Sequence, residues 1–162
     1  MNKQLIAGLL LAGSLIAAPA AKALPLIDIG VGIGALTLED DDSAAIAGTA
    51  SVGVNIPFIP LVGVEGQLTQ TLQDGEIGGF DYSGNQLGAF ATITTPTPFL
   101  KVRGKLGMVR SDFSFNGFSN DSTDFAIGAA ALFGDWRVEW TRTMADDEDG
   151  GDIDFISLSY VF

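Results

Sequence analysis

Seven charged side chains fall on the polar sides of alternating segments: Asp28, Glu65, Lys101, Arg103, Lys105, Arg137 and Glu139. Four positive and three negative groups on one set of faces can do two kinds of chemistry. They can lock one another as hydrogen-bonded ion pairs in a sparsely hydrated interior, or exchange partners and open a narrow conduction path. Catalysis asks for more. The chain has no histidine, the side chain that exchanges a proton near neutral pH without a large pKa shift, so a non-enzymatic protein is expected. Two acidic runs, Glu39 to Asp42 and Asp146 to Asp149 with Asp152, carry the oxygen ligands that Ca²⁺ and Mg²⁺ take, but neither has the spacing of an EF-hand loop. They read as solvated loop tips. Gly30-Val31-Gly32-Ile33-Gly34-Ala35 matches the dinucleotide pattern G-x-G-x-x-A, yet no helix follows and no acidic residue stands near position 53. Glycines on an inward face relieve crowding instead. Neither a cofactor nor a metal is expected.

The elements that must position these charges are strands. Leu26 to Leu38 sets Ile27, Ile29, Val31, Ile33 and Ala35 against Asp28, Gly30, Gly32 and Gly34, the period of two that a strand requires. The same alternation recurs over Ala44 to Ile56, Leu61 to Leu72, Gln86 to Thr94, Phe99 to Phe113, Phe125 to Phe133, Trp136 to Met144 and Asp154 to Phe162. Polar segments Glu39 to Asp42, Gln73 to Gln86, Asn116 to Asp124 and Ala145 to Asp152 separate them as longer loops. Pro57 with Pro60, Thr95-Pro96-Thr97-Pro98 and Gly134-Asp135 mark short turns. Eight strands of about 9 to 13 residues, joined alternately by long polar loops and short turns, are what a membrane-spanning β-barrel uses. The expected fold is therefore all-β, an eight-stranded antiparallel up-and-down transmembrane barrel. Closure is a physical requirement, because an open edge in hydrocarbon leaves unpaired N–H and C=O groups. Trp136, Trp140, Tyr160, Phe162, Phe133 and Phe99 fit an aromatic belt at the membrane interface.

The first 23 residues carry Lys3, an apolar run from Leu5 to Ala18, Pro19, and small residues at Ala21 and Ala23, the pattern of an export signal cleaved after Ala23. The expected organisation is a signal peptide over 1–23 and one barrel over 24–162. Loss of Lys3 and Lys22 leaves 6 basic against 20 acidic residues, a net charge of −14, where the full chain has −12. Nucleic acid is thereby excluded as an expected partner, since phosphate binding needs clustered Lys and Arg. With no cysteine, neither a lipid anchor on cysteine nor a disulfide is expected.

The segments Phe99-Leu100-Lys101-Val102-Arg103-Gly104-Lys105-Leu106-Gly107, Ala126-Ile127-Gly128-Ala129-Ala130-Ala131, Trp136-Arg137-Val138-Glu139-Trp140-Thr141 and Leu158-Ser159-Tyr160-Val161-Phe162 resemble strands of the small outer-membrane β-barrel domain family, which includes the OmpA membrane domain, OmpX and the opacity-type proteins. The resemblance implies a Gram-negative outer-membrane location, with lipids and lipopolysaccharide as surroundings. The alternating final strand, with Leu158, Tyr160 and Phe162 on one face, resembles the signal read by the barrel-assembly machinery. A structural or surface-interaction role follows as the expectation, with an unidentified surface ligand as a further partner. A narrow channel or ligand-passage barrel is the alternative, and a soluble periplasmic lipocalin-like binder is another. The last would turn Ile and Val inward and charges outward.

Overall fold

The computed structural model describes residues 27–38, 44–59, 61–77, 80–95, 97, 100–115, 118–145 and 151–162. The export signal with Ala21 and Ala23, and the acidic runs Glu39 to Asp42 and Asp146 to Asp149, lie outside the described residues.

The strands are β1 (Ile27–Leu38), β2 (Ala44–Asn55), β3 (Val62–Gln73), β4 (Gly75–Ile77), β5 (Phe80–Thr94), β6 (Lys101–Phe115), β7 (Phe118–Phe133), β8 (Trp136–Met144) and β9 (Ile153–Val161). Every pairing is antiparallel, each full-length strand bonds to the next full-length strand in sequence, and the sheet closes where β1 pairs with β9, from Gly30 opposite Val161 to Leu38 opposite Ile153. β3 pairs directly with β5, so the barrel has eight staves and the three-residue β4 is a short flap that continues β3 along the edge of β5. A hydrogen bond from the Phe162 N–H to the Ile29 carbonyl seals the seam at the end that carries the short turns.

Alternation decides which side of each strand meets the interior. On β8, Arg137, Glu139, Thr141 and Thr143 are buried while Trp136, Val138 and Trp140 are exposed. On β9, Phe155, Ser157 and Ser159 point in and Ile156 and Leu158 point out. Ile33, Val52, Val54, Val64, Leu87, Ile93, Val102, Leu106 and Met108 extend the outward apolar band around the cylinder. This is the reverse of a soluble lipocalin-like barrel, whose apolar side chains would face a central cavity.

Two polar segments expected as loops are largely strand. Gln73 to Gln86 contains β4 and the first residues of β5, and Asn116 to Asp124 contains the start of β7. β6 and β7 form one long hairpin in which Phe115 lies opposite Phe118 and Asp112 opposite Asp121. Where a strand runs beyond the apolar band, its outward face meets water and carries polar side chains like those of a loop. The hydrophobic alternation then weakens while the backbone pairing continues, which is why the residues alone read as loop.

The interior is layered. The half near the short turns is ionic and polar. The half near the long connections holds a buried cluster of Leu36, Ala45, Ala47, Tyr82, Phe113, Ile153 and Phe155, and a smaller group of Phe90, Val109 and Ala126 lies apart from it. The ionic filling expected of the interior thus occupies one half of it, and an apolar layer fills the other.

Candidate functional site

The ionic layer is assembled from six charges on four strands: Asp28 on β1, Glu65 on β3, Arg103 and Lys105 on β6, and Arg137 and Glu139 on β8, with β2, β5 and the remainder of β3 adding uncharged partners. Pairs two residues apart, Arg103 with Lys105 and Arg137 with Glu139, share a face because the strand period is two. Closure of the sheet then brings strands distant in sequence within bonding range.

Glu65 is the hub. Its Oε2 accepts from Arg103 Nη1 at 3.1 Å and from Arg137 Nη1 at 2.8 Å, and its Oε1 lies 3.8 Å from Lys105 Nζ. Arg103 also donates through Nη2 to Asp28 Oδ2 at 2.9 Å and through Nε to Thr94 Oγ1 at 3.1 Å. Arg137 donates through Nη2 to Ser51 Oγ at 2.7 Å, with its Nε 3.4 Å from Glu139 Oε2. Lys105 Nζ donates at 2.6 Å to both Glu139 Oε1 and Gln67 Oε1, and lies 4.2 Å from the centroid of the Phe90 ring. Gln67 in turn donates to Glu139 Oε1 at 3.0 Å and to Thr49 Oγ1 at 3.2 Å.

Lys101 does not join this group. As the first residue of β6 it stands at the rim of the barrel and is exposed, although it shares the inward side with Arg103 and Lys105. Without it, three cations face three carboxylates. Glu65, Arg103, Lys105, Arg137 and Glu139 are all buried and Asp28 is half-buried. Charges taken out of water persist only when paired and hydrogen-bonded, and here each carboxylate is aimed at cations. Ser51 accepts from a guanidinium, so its hydroxyl faces a positive charge where an activated nucleophile would face a base.

Small residues make room for the long ones. A Cβ on Gly30 would come within 2.7 Å of Ser51 Oγ and 2.9 Å of Arg137 Nη2, and one on Gly128 within 2.8 Å of the Lys105 side chain. The glycines of the Gly30 to Ala35 segment thus lie in β1, and Gly30 serves as a seat for Arg137. Gly30→Ala is expected to cost about 1–3 kcal/mol by overpacking. Urea titration of the barrel in vesicles checks it, and an unchanged midpoint would show that Arg137 shifts freely.

Between the ionic and apolar layers lies a cavity of about 10 Å³, room for a single water molecule, with Gln67, Thr69, Gln86, Thr141 and Thr143 in its wall. Above it, Tyr82 bridges the barrel. Its hydroxyl donates to the Leu36 carbonyl at 3.1 Å and accepts from the Ala45 N–H at 3.2 Å. Sequence reasoning missed Tyr82 because it falls in the segment read as a loop. The signal available was the alternation of Tyr82, Gly84, Gln86, Gly88 and Phe90, all of which are buried.

On the outside, Trp136, Tyr160 and Phe162 stack edge to face, with centroids 5.3 and 4.9 Å apart, and Tyr160 donates to Asp135 Oδ2 at 2.9 Å. Leu158 is exposed on the same face of β9, and Tyr160 and Phe162 are half-buried. Near the opposite end of β8, Arg142 pairs with Asp154 through Nε at 2.9 Å and Nη2 at 2.5 Å, and Trp140 Nε1 donates to the same carboxylate at 2.9 Å. Trp140 therefore belongs with an ion pair, while Trp136 belongs with the aromatic stack. Phe133 is exposed beside Trp136, its partner in the β7–β8 register. Phe99 lies outside the described residues.

No protein-family model and no curated protein matches the sequence. Among solved structures the fold is similar to that of the N-terminal β-barrel domain of OprF from Pseudomonas aeruginosa, at 13% identity over 83% of this chain and 97% of that one, with a TM-score of 0.57. It is also similar to Neisserial surface protein A, at 11% identity over 83% and 94% with a TM-score of 0.54. Ail, the attachment invasion locus protein of Yersinia pestis, aligns at 17% identity over 85% and 97% with a TM-score of 0.50. The chain has the fold of the small outer-membrane β-barrels.

Proposed function

We propose that this chain is a non-enzymatic integral outer-membrane protein whose barrel is closed by its own side chains and whose role is structural or surface-interactive. The observation that carries the reading is the inverted distribution of polarity: leucines, valines and isoleucines ring the outside while six mutually paired charges fill the inside. Acyl chains solvate the outer ring, and backbone closure removes the edges that hydrocarbon cannot satisfy. Residues 1–23 serve as the export signal, and Leu158, Tyr160 and Phe162 serve as the face read during barrel assembly.

Ail has been solved in a phospholipid bilayer nanodisc and in complex with the heparin analogue sucrose octasulfate. Those findings support a lipid-embedded barrel that presents a surface to a ligand. The connections beyond β1 and β8 in this chain carry Glu39 to Asp42 and Asp146 to Asp149. A ligand of opposite charge, a cationic protein surface or divalent ions bridging to lipopolysaccharide phosphates, fits them better than a polyanion does. Fractionation of the native host, with gel mobility compared before and after boiling, tests location and fold together. The expected result is recovery in the outer-membrane fraction with a heat-dependent band shift. Recovery in the soluble fraction would overturn the reading, and steady single-channel currents in planar bilayers would replace the closed barrel with a pore.

A further inference from the structure

The turn between β2 and β3 is apolar throughout its sequence. Ile56, Pro57, Phe58, Ile59, Pro60 and Leu61 form an unbroken apolar stretch at the end of a barrel, where chain reversals that meet water are normally built from polar residues and glycine. Phe58 is 95% exposed, and Ile59 and Leu61 are exposed as well. None of the three is used by the ionic layer or by the aromatic stack of β8 and β9.

The backbone of this turn is prepared for a poorly hydrated setting. Pro57 and Pro60 have no N–H, and the N–H groups of Ile56, Ile59 and Val62 donate to the carbonyls of Val62, Ile56 and Ile59 at 2.9, 3.1 and 2.9 Å. The Leu61 carbonyl accepts from Thr94 at 2.7 Å. Backbone polar groups satisfied within the chain can leave water at small cost, whereas unsatisfied ones cannot. The apolar surface is also continuous with the outward band: Val54 and Val64, opposite one another in the β2–β3 register, are exposed on the strands that the turn joins.

We infer that the Ile56–Leu61 turn is a membrane anchor, with Phe58 and Ile59 inserted at the boundary between headgroups and acyl chains of the leaflet at the short-turn end. This inference rests on the membrane-embedded reading of the barrel. The turn extends the lipid-facing band past the ends of β2 and β3. It thereby fixes the depth of those strands in the bilayer, as interfacial apolar side chains do elsewhere.

Because the chain has no cysteine, a single introduced cysteine can carry an environment-sensitive fluorophore without background labelling. Phe58→Cys and Val64→Cys are labelled, shown to fold by heat-dependent gel mobility, and reconstituted into phosphatidylcholine vesicles. The expected result is a blue-shifted emission at both sites, quenched by phosphatidylcholine with brominated acyl chains and protected from aqueous iodide. A membrane-like signal at Val64 with a water-like, iodide-quenched signal at Phe58 overturns the anchor and leaves the membrane barrel standing. Water-like signals at both sites overturn both. A blue shift at Phe58 that disappears as lipid is added at fixed protein identifies a second copy of the chain as the occupant, and overturns the anchor too.

Discussion

Glu65→Ala is expected to destabilise the folded barrel by about 3–5 kcal/mol, the cost of removing one member of a buried ionic group and leaving the others uncompensated. Glu65 touches Arg103 and Arg137 directly and lies within 4 Å of Lys105. Its loss leaves three cations facing Asp28 and Glu139, one of which is only half-buried. Removing both members of a neighbouring pair, as in Lys105→Met with Glu139→Leu, keeps the interior neutral and should cost less than the two single changes added together. Urea titration in vesicles, followed by gel mobility, measures all of these. A Glu65→Ala midpoint within error of the parent would mean that water already solvates the layer, and the plug would have to be abandoned. Conductance is expected to stay absent in Glu65→Ala and in Arg137→Ala, because the apolar layer around Tyr82, Phe113 and Phe155 still closes the opposite half.

Leu106→Arg carries the second large effect. Leu106 is 57% exposed near the middle of the outward band on β6. On a water-soluble barrel such a change falls within about 0.5 kcal/mol, as most surface substitutions do. At the midplane of a bilayer it costs about 2–4 kcal/mol. The same substitution at Phe133, beside the β7–β8 turn, should cost only about 0–1 kcal/mol, because the interface hydrates a guanidinium. The comparison maps depth as well as location. Equal, negligible costs at both positions would remove hydrocarbon from around the barrel.

The two predictions draw on features with different visibility in the amino-acid sequence. Leu106 could be placed on the outside from alternation alone, because the side-chain period of a strand fixes which residues share a face once either face is known. The same rule put Asp28, Glu65, Arg103, Lys105, Arg137 and Glu139 on common faces. It could not single out Glu65 as the hub. That depends on β3 reaching the same level as β6 and β8 across the barrel, which follows from closure and from the register of strands 38 and 72 residues apart. Lys101 obeys the period yet misses the network, since its level, at the rim, decides its solvation more than its face does. Tyr82 and the upper part of the β6–β7 hairpin were hidden for a related reason: past the apolar band the outward side chains turn polar, so only the inward set still alternates and the contrast that marks a strand is weak.

Local order therefore came from the sequence, and depth came from the assembled cylinder. Alternation and turn chemistry determined the number of staves, their antiparallel succession and the inward or outward sense of most side chains, all of which are properties of a few consecutive residues. Only the tertiary structure decided which charges meet, which residue stands at the rim, and where ionic filling gives way to an apolar lid. Those outcomes depend on the height of each residue along the barrel axis, a coordinate that exists only after the last strand has paired with the first.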